Sequence, residues 1–181
     1  MKLTFIRPSM TGKQTSDALK PLVFAILYSL TPKDVTVQFY DECVEKLPER
    51  VDGDAVVFSV ETLAAKRVYA LAKKYKQENP DIKVIMGGHH PTAVPDEVLQ
   101  HADCIVTGDA EPVWGTLIAD LKENALKPLY TSTNNYILPY LETDQSIFEG
   151  KKYSRVGFYM TASGGFTMIT GSITQLLFRR T

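Results

Sequence analysis

Cysteine and histidine are scarce in this chain, two and three among 181 residues, and neither type forms a recognisable ligand set. Cys43 and Cys104 lie far apart, each beside polar or acidic residues. Neither a disulfide framework nor a cysteine-based zinc site is therefore expected. Charge of one sign is also missing, because a net charge of −1 with interspersed Lys and Glu leaves no electrostatic footprint for nucleic acid. No apolar run approaches the roughly 20 residues needed to cross a bilayer. "MKLTFIRPSM" lacks the long apolar segment and cleavage site of a secretory signal, so a cytoplasmic setting is the default. Neither GxxxxGK[ST] nor GxGxxG occurs, which disfavours phosphate or dinucleotide binding of those types. What is present is 44% apolar content, enough for one globular domain with a real core and about 30 to 50 residues to spare.

Short β-branched runs alternate with amphipathic stretches. Lys2 to Ile6 reads as a strand ended by Pro8, and Pro21 to Leu30 as a helix with proline in its permitted first turn. Val35 to Asp41 alternates as a strand does, while Asp54 to Val60 is a continuous apolar run of the kind buried on both faces. After it Leu63, Val68, Leu71, Ala72 and Tyr75 fall at helical spacing, with Thr62 the best placed cap and Pro80 just past the end. "IKVIMGG" and "CIVTG" supply two more strands, "PDEVLQHA" a short helix and "PVWGTLIADLKEN" a longer one. Five strands with helices between them predict a parallel sheet.

In such a sheet ligands sit beyond the carboxyl ends of the strands, so the loops that follow each strand are the ones to inspect. These are Pro8 to Gly12, Asp41 to Cys43, Ser59 to Thr62, Gly87 to Pro91 and Gly108 to Glu111. Gly87 and Gly88 either permit a tight turn or let a flat ligand approach bare backbone. Asp41 and Glu42 are expected to be solvated, the commoner fate of carboxylates at strand ends. His89 and His90 point in different directions if extended and have no Cys, Asp or Glu at chelating spacing, so joint metal ligation is disfavoured.

Taken together, "FYDECVEKL", "DAVVFSVETLAAKRVYALAKKYK" and "VIMGGHHPTAVPDEVLQHADCIVTGDAEPVWGTLIADL" resemble the N-terminal cobalamin-binding domain of cobalamin-dependent radical S-adenosylmethionine enzymes. The resemblance runs from about Val35 to Leu121 and is carried by GGxHPT, here Gly87 to Thr92, and by G-[ED]-A-E, here Gly108 to Glu111. It implies a flavodoxin-like, Rossmann-like α/β domain of three layers with a five-stranded parallel sheet over residues 1–127. Residues 128–181 would then be an irregular linker and the remnant of the start of a radical domain. It also implies cobalamin as ligand, the corrin resting on the strand-end face and the nucleotide tail inserted between loops.

Three pieces of cobalamin-binding folds, DxHxxG, SxL and GG, can be placed residue by residue. In "RPSMTG" Gly12 keeps the final glycine, but Ser9 stands where a histidine would ligate cobalt. Ser59, Val60 and Glu61 match the second piece, with Glu in place of leucine and Thr62 following. The resemblance gives Ser59 a hydrogen bond to the displaced base, and gives Gly87 and Gly88 the space for the tail. His90, before Pro91, either meets a corrin amide at the rim or fixes the turn internally, and His89 occupies a variable position. Gly108 and Glu111 complete the expected cofactor set, with Glu111 facing corrin amides or capping the helix near Pro112.

Radical domains open with CxxxCxxC, but this chain reads "GGFTMIT" there and has no cysteine after Cys104. No [4Fe-4S] cluster is therefore expected in it. A fragment or a stand-alone module both fit, and the apolar residues from Tyr153 to Phe178 would pack on the sheet, meet a protein partner or be disordered. The preferred expectation is a cobalamin-binding module that is not catalytic alone. The rival is a small-ligand enzyme using His90, Asp109 and Glu111 in acid-base chemistry. A receiver-type regulatory domain is weaker, because its aspartate cluster and lysine are not apparent.

Overall fold

A computed structural model describes residues 1–132 and 143–154, together with the backbones of 156–161 and 165–170. In chain order the elements are β1 (Lys2–Arg7), α1 (Leu22–Leu30), β2 (Thr36–Asp41), β3 (Ala55–Ser59), a 3₁₀ turn at Thr62–Ala64 and α2 (Ala65–Glu78). There follow β4 (Lys83–Gly87), α3 (His89–Ala93), α4 (Pro95–Val98), β5 (Cys104–Thr107), α5 (Glu111–Lys122) and β6 (Leu129–Thr131). A second 3₁₀ turn (Gln145–Phe148), β7 (Val156–Thr161) and β8 (Gly165–Thr170) complete the series.

The first six strands form one parallel sheet in the order β2-β1-β3-β4-β5-β6, the arrangement of a flavodoxin-like fold. Period-two alternation splits the buried residues between the two faces of the sheet. Leu3, Phe5, Val57, Ile85 and Val106 pack beneath α1 and α5, where Phe24, Trp114 and Leu117 meet them. Ile6, Val56, Phe58, Met86 and Ile105 face α2, whose Val68, Leu71, Ala72 and Tyr75 recur on one side of the helix. Because both faces are covered, the central strands are almost wholly apolar. Each fully buried large side chain of this kind contributes about 1.5–3 kcal/mol relative to exposure.

Four expectations need correction. The sheet has six strands rather than five: β6 pairs parallel with β5 through Ile105↔Leu129, Val106↔Tyr130 and Thr107↔Thr131. It is three residues long, and only Tyr130 in it is buried, so it has no hydrophobic pattern to read. Leu63 does not join the apolar face of α2. It precedes the helix in the 3₁₀ turn and is 77% exposed. Thr62 makes no capping hydrogen bond, since α2 begins three residues later at Ala65. The "HPT" stretch, read as part of the loop after β4, is a single helical turn, α3.

After β6, residues 143–154 return across the outside of α1 as a strap. The backbone N–H of Asp144 donates to Ser29 Oγ at 2.7 Å, and the Phe148 ring lies edge-on to Phe39 at 5.7 Å. The Tyr153 hydroxyl donates to Asp41 at 2.9 Å, Lys151 pairs with Glu45, and the N–H of Ser154 donates to the Ala18 carbonyl at 2.8 Å. Further on, β7 and β8 pair antiparallel where an irregular extension was expected. Both runs are rich in aromatic and β-branched residues, which favour strands. The segment "NNYILPYLE" and the residues from 171 onward lie outside the described residues.

Candidate cofactor site

All five inspected loops emerge at the carboxyl end of the parallel sheet, and three of them converge through hydrogen bonds. The N–H of Val60, just after β3, donates to the Gly87 carbonyl at 2.7 Å, and the N–H of His90 donates to the Val60 carbonyl at 3.1 Å. The Thr92 hydroxyl donates to the Gly88 carbonyl at 2.9 Å and accepts from the N–H of Gly108 at 3.0 Å. Thr92 thus ties the loop after β4 to the loop after β5. Sequence reasoning passed over it as part of a motif, because its bridging geometry exists only once α3 folds.

Gly87 and Gly88 differ physically. Gly88 has φ +109°, and a Cβ on it would lie 2.9 Å from the Val60 carbonyl oxygen and 3.1 Å from the Val60 nitrogen. Only glycine fits there without distortion. A Cβ on Gly87 would meet nothing nearer than Val106 Cβ at 3.6 Å, an ordinary contact. Gly108, with φ +74°, is held against Ser132, whose Oγ would lie 2.6 Å from an added Cβ.

Between α1, α5 and the strand ends lies an apolar cavity of about 40 Å³. Val23, Phe24 and Leu27 form its α1 wall and Trp114 its α5 wall, with Ser59, Gly87 and Gly88 at the strand ends. Ser59 is half-buried at the end of β3, paired in register with Gly87. A larger open cleft of about 480 Å³ lies between α2 and the start of β5, lined by Tyr69, Lys76, His101 and Asp103. It sits toward the amino ends of β4 and β5, bridged by the Lys76–Asp103 ion pair at 2.7 Å, so the smaller strand-end cavity is the better ligand site on topological grounds.

The two carboxylates expected to be solvated are buried. Asp41 is fully enclosed, accepting from Arg7 at 3.2 Å, the N–H of Cys43 at 2.9 Å and Tyr153. Glu42 accepts from the N–H of Ser9 at 3.0 Å and pairs with Arg67 through both oxygens, which holds the Arg67 guanidinium above its ordinary range. Burial is tolerated because each charge is matched and hydrogen-bonded. Ser9 itself is buried, and its hydroxyl has no partner among the described residues.

His90 is buried, with Nε2 2.9 Å from the Tyr69 hydroxyl and 3.7 Å from Glu97. Its partners are on α2 and α4, inside the fold. The Tyr69 hydroxyl, pushed up to about 12 by burial and then by Glu97, also donates to Glu97 at 3.0 Å. Pro91 is buried beside His90, whereas His89, Glu61, Thr62 and Asp109 are exposed. Glu111 opens α5, half-buried and without a capping hydrogen bond. No hydrogen bond or ion pair joins His90 to Asp109 or Glu111; its polar partners are Tyr69 and Glu97. Exposed Met10 and Leu63, at 59% and 77%, lie on the loops after β1 and β3 and add apolar surface to the strand-end face.

A doubly wound sheet with a glycine-lined cavity at its carboxyl end defines a nucleotide- or cofactor-binding class of domain. Residues 27–117 match the B12 binding domain family, and the chain belongs to that family. It is 36% identical to the bacteriochlorophyllide d C-8(2)-methyltransferase of Chlorobaculum tepidum over 117 residues, covering 62% of this chain and 26% of that protein. The bacteriochlorophyllide d C-12(1)-methyltransferase of the same organism is 31% identical over 116 residues, 63% of this chain and 25% of its own length. An uncharacterised methyltransferase of Pyrococcus horikoshii is 29% identical over 114 residues, 57% of this chain and 25% of that protein. The chain spans about a quarter of the length of the curated relatives it matches. These matches agree with the resemblance to the cobalamin-binding domain of cobalamin-dependent radical S-adenosylmethionine enzymes. Among the described residues no helix is long and apolar enough to cross a membrane.

Proposed function

We propose that this chain is a cobalamin-binding module, derived from a methyltransferase or cyclase-type radical enzyme and not catalytic alone. In this reading the cofactor domain expected over residues 1–127 is completed by β6 and the strap, and the residues beyond them link it to other partners. The observation that carries it is Gly87: it lines the mouth of an apolar cavity, where an added Cβ would make only an ordinary contact with Val106 and no steric demand of the fold requires glycine. A backbone left bare for space rather than for conformation suits a bulky ligand.

The residues fit the group. Ser59 offers a hydroxyl on the cavity wall to hydrogen-bond a buried base, whose polar atoms would otherwise go unpaired. Val60 and Gly88 shape the lip, Gly108 and Glu111 the opposite rim, and Glu61 and Thr62 remain exposed for contacts to corrin amides. Ser9 stands in the loop where a ligating histidine would be, its backbone N–H donating to Glu42 and its side chain buried, so a hydroxyl rather than an imidazole occupies that place. Bound cobalamin supplies a cobalt centre for transfer of an alkyl group. The protein's own part is to hold the corrin, enclose the tail and keep water from the cavity. His90 and Pro91 support the lip from beneath.

At about 40 Å³ the cavity is far below the roughly 300 Å³ or more of an ordinary ligand pocket, so binding requires α1 to move outward. Its amino end can yield, since Pro21 provides no capping hydrogen bond and no acidic residue occupies its first turn. Two free cysteines suit a cytoplasmic setting. Reconstitution with hydroxocobalamin tests the proposal: a corrin absorption spectrum that comigrates with the protein is expected, and none retained at micromolar protein refutes it.

A further inference from the structure

We propose that Thr92 is a positioning residue that sets the gap through which the nucleotide tail enters, an inference that rests on the cobalamin reading above. Its hydroxyl donates to the Gly88 carbonyl at 2.9 Å while accepting from the N–H of Gly108 at 3.0 Å. Its backbone N–H also donates to the Gly88 carbonyl, at 3.3 Å. The hydroxyl is therefore a bracket between two loops that belong to different strands, β4 and β5. The direct pairing of those strands involves only Ile85↔Cys104 and Met86↔Ile105, further down the sheet.

Both clamped residues are glycines with positive φ, +109° and +74°, so each loop is already confined to a shape few other residues adopt. What their conformations leave open is the separation between them, and Thr92 fixes it. Gly88 lies on the cavity wall, and Ala110, two residues beyond Gly108, lies on it too. Moving the β5 loop relative to the β4 loop would widen or close the mouth between them. The corrin, resting outside on the strand-end face, would be affected far less.

Thr92 is exposed, so its hydroxyl is not needed to satisfy a buried group and its removal should leave the fold intact. Serine can both donate and accept in the same place, whereas valine, nearly identical in shape, can do neither. The role therefore predicts a difference between two corrinoids. Hydroxocobalamin carries the tail, and diaquocobinamide lacks it.

Thr92→Val should weaken hydroxocobalamin binding about tenfold and diaquocobinamide binding less than twofold, with Thr92→Ser restoring hydroxocobalamin affinity to within about twofold. Equal losses for the two corrinoids, or no loss, would overturn the assignment of Thr92 while leaving cobalamin binding in place. If the unaltered chain binds neither corrinoid, the cobalamin reading itself fails. If it binds both equally tightly, the tail gains nothing from the cavity and the bracket has no such role. Should Thr92→Val fail to fold, hydrogen exchange at the Gly108 amide of the unaltered chain decides. Added protection with hydroxocobalamin but not with diaquocobinamide is expected, and equal protection refutes the proposal.

Discussion

At the residue scale, the two adjacent glycines make separable predictions. Gly88→Ala places a Cβ 2.9 Å from backbone oxygen at φ +109° and should cost about 1–3 kcal/mol in urea unfolding. Gly87→Ala meets only an ordinary contact and should leave stability within about 0.5 kcal/mol, while cobalamin retention drops because the mouth is narrowed. If Gly87→Ala retains cobalamin like the unaltered chain, the tail does not pass there. A bulky residue at Gly88 is the poorer probe, because misfolding and blocked binding would look alike. The strand-end placement of Ser59 and the glycines was legible because a buried strand fixes where its last residue emerges. Thr92 and the ion-paired Glu42 were not, since each depends on a partner far away in the chain: Gly108 for one, Arg67 for the other.

Elements were legible in proportion to how much apolar surface they bury. The runs that became β1, β3, β4 and α2 are each enclosed by neighbours on at least one face, and their sequences show it. β6 and α3 bury little and are held by hydrogen bonds to elements already in place, so their own residues carry no period. Trp114 illustrates how elements depend on each other: fully buried on α5, it donates from Nε1 to Thr31 Oγ1 at the end of α1, at 3.0 Å, and lies 5.9 Å from the Phe5 ring. Trp114→Ala should cost about 3–5 kcal/mol, read as a lowered urea midpoint. Trp114 is also the single tryptophan of the chain and lines the cavity, so its emission reports directly on the wall between α1 and α5. A binding event that leaves that emission unchanged would place the ligand elsewhere.

For the whole molecule, alkaline pH is the informative variable. Burial pushes the Cys104 thiol up from 9.0 to about 12 and, as the largest cause, the Tyr75 hydroxyl from 10.0 to about 12. Both groups are neutral when protonated and have folded values above their ordinary ones. The stability they contribute is thus complete below those ordinary values and lost as pH rises toward about 12. The urea midpoint should hold until pH passes 9.0 and then fall, and Tyr75→Phe should reduce the fall above 10.0. A midpoint that stays level to about 12 would show that neither group is held protonated by the fold. Cys43 is raised as well, mainly by its burial, so neither native thiol should react readily with a thiolate-directed reagent at mildly alkaline pH.

That reluctance makes the strap useful as an optical handle. Its last described side-chain position, Ser154, is pinned to Ala18 in the loop leading into α1, and Tyr153 beside it is pinned to Asp41 at the end of β2. With Cys43 replaced by serine and Cys104 buried, a dye on Ser154→Cys would be attached selectively, and would sit on the same side of the molecule as the cofactor face. Because corrins absorb visible light, loading of the site would dim the dye in real time, at concentrations too low for absorbance to follow.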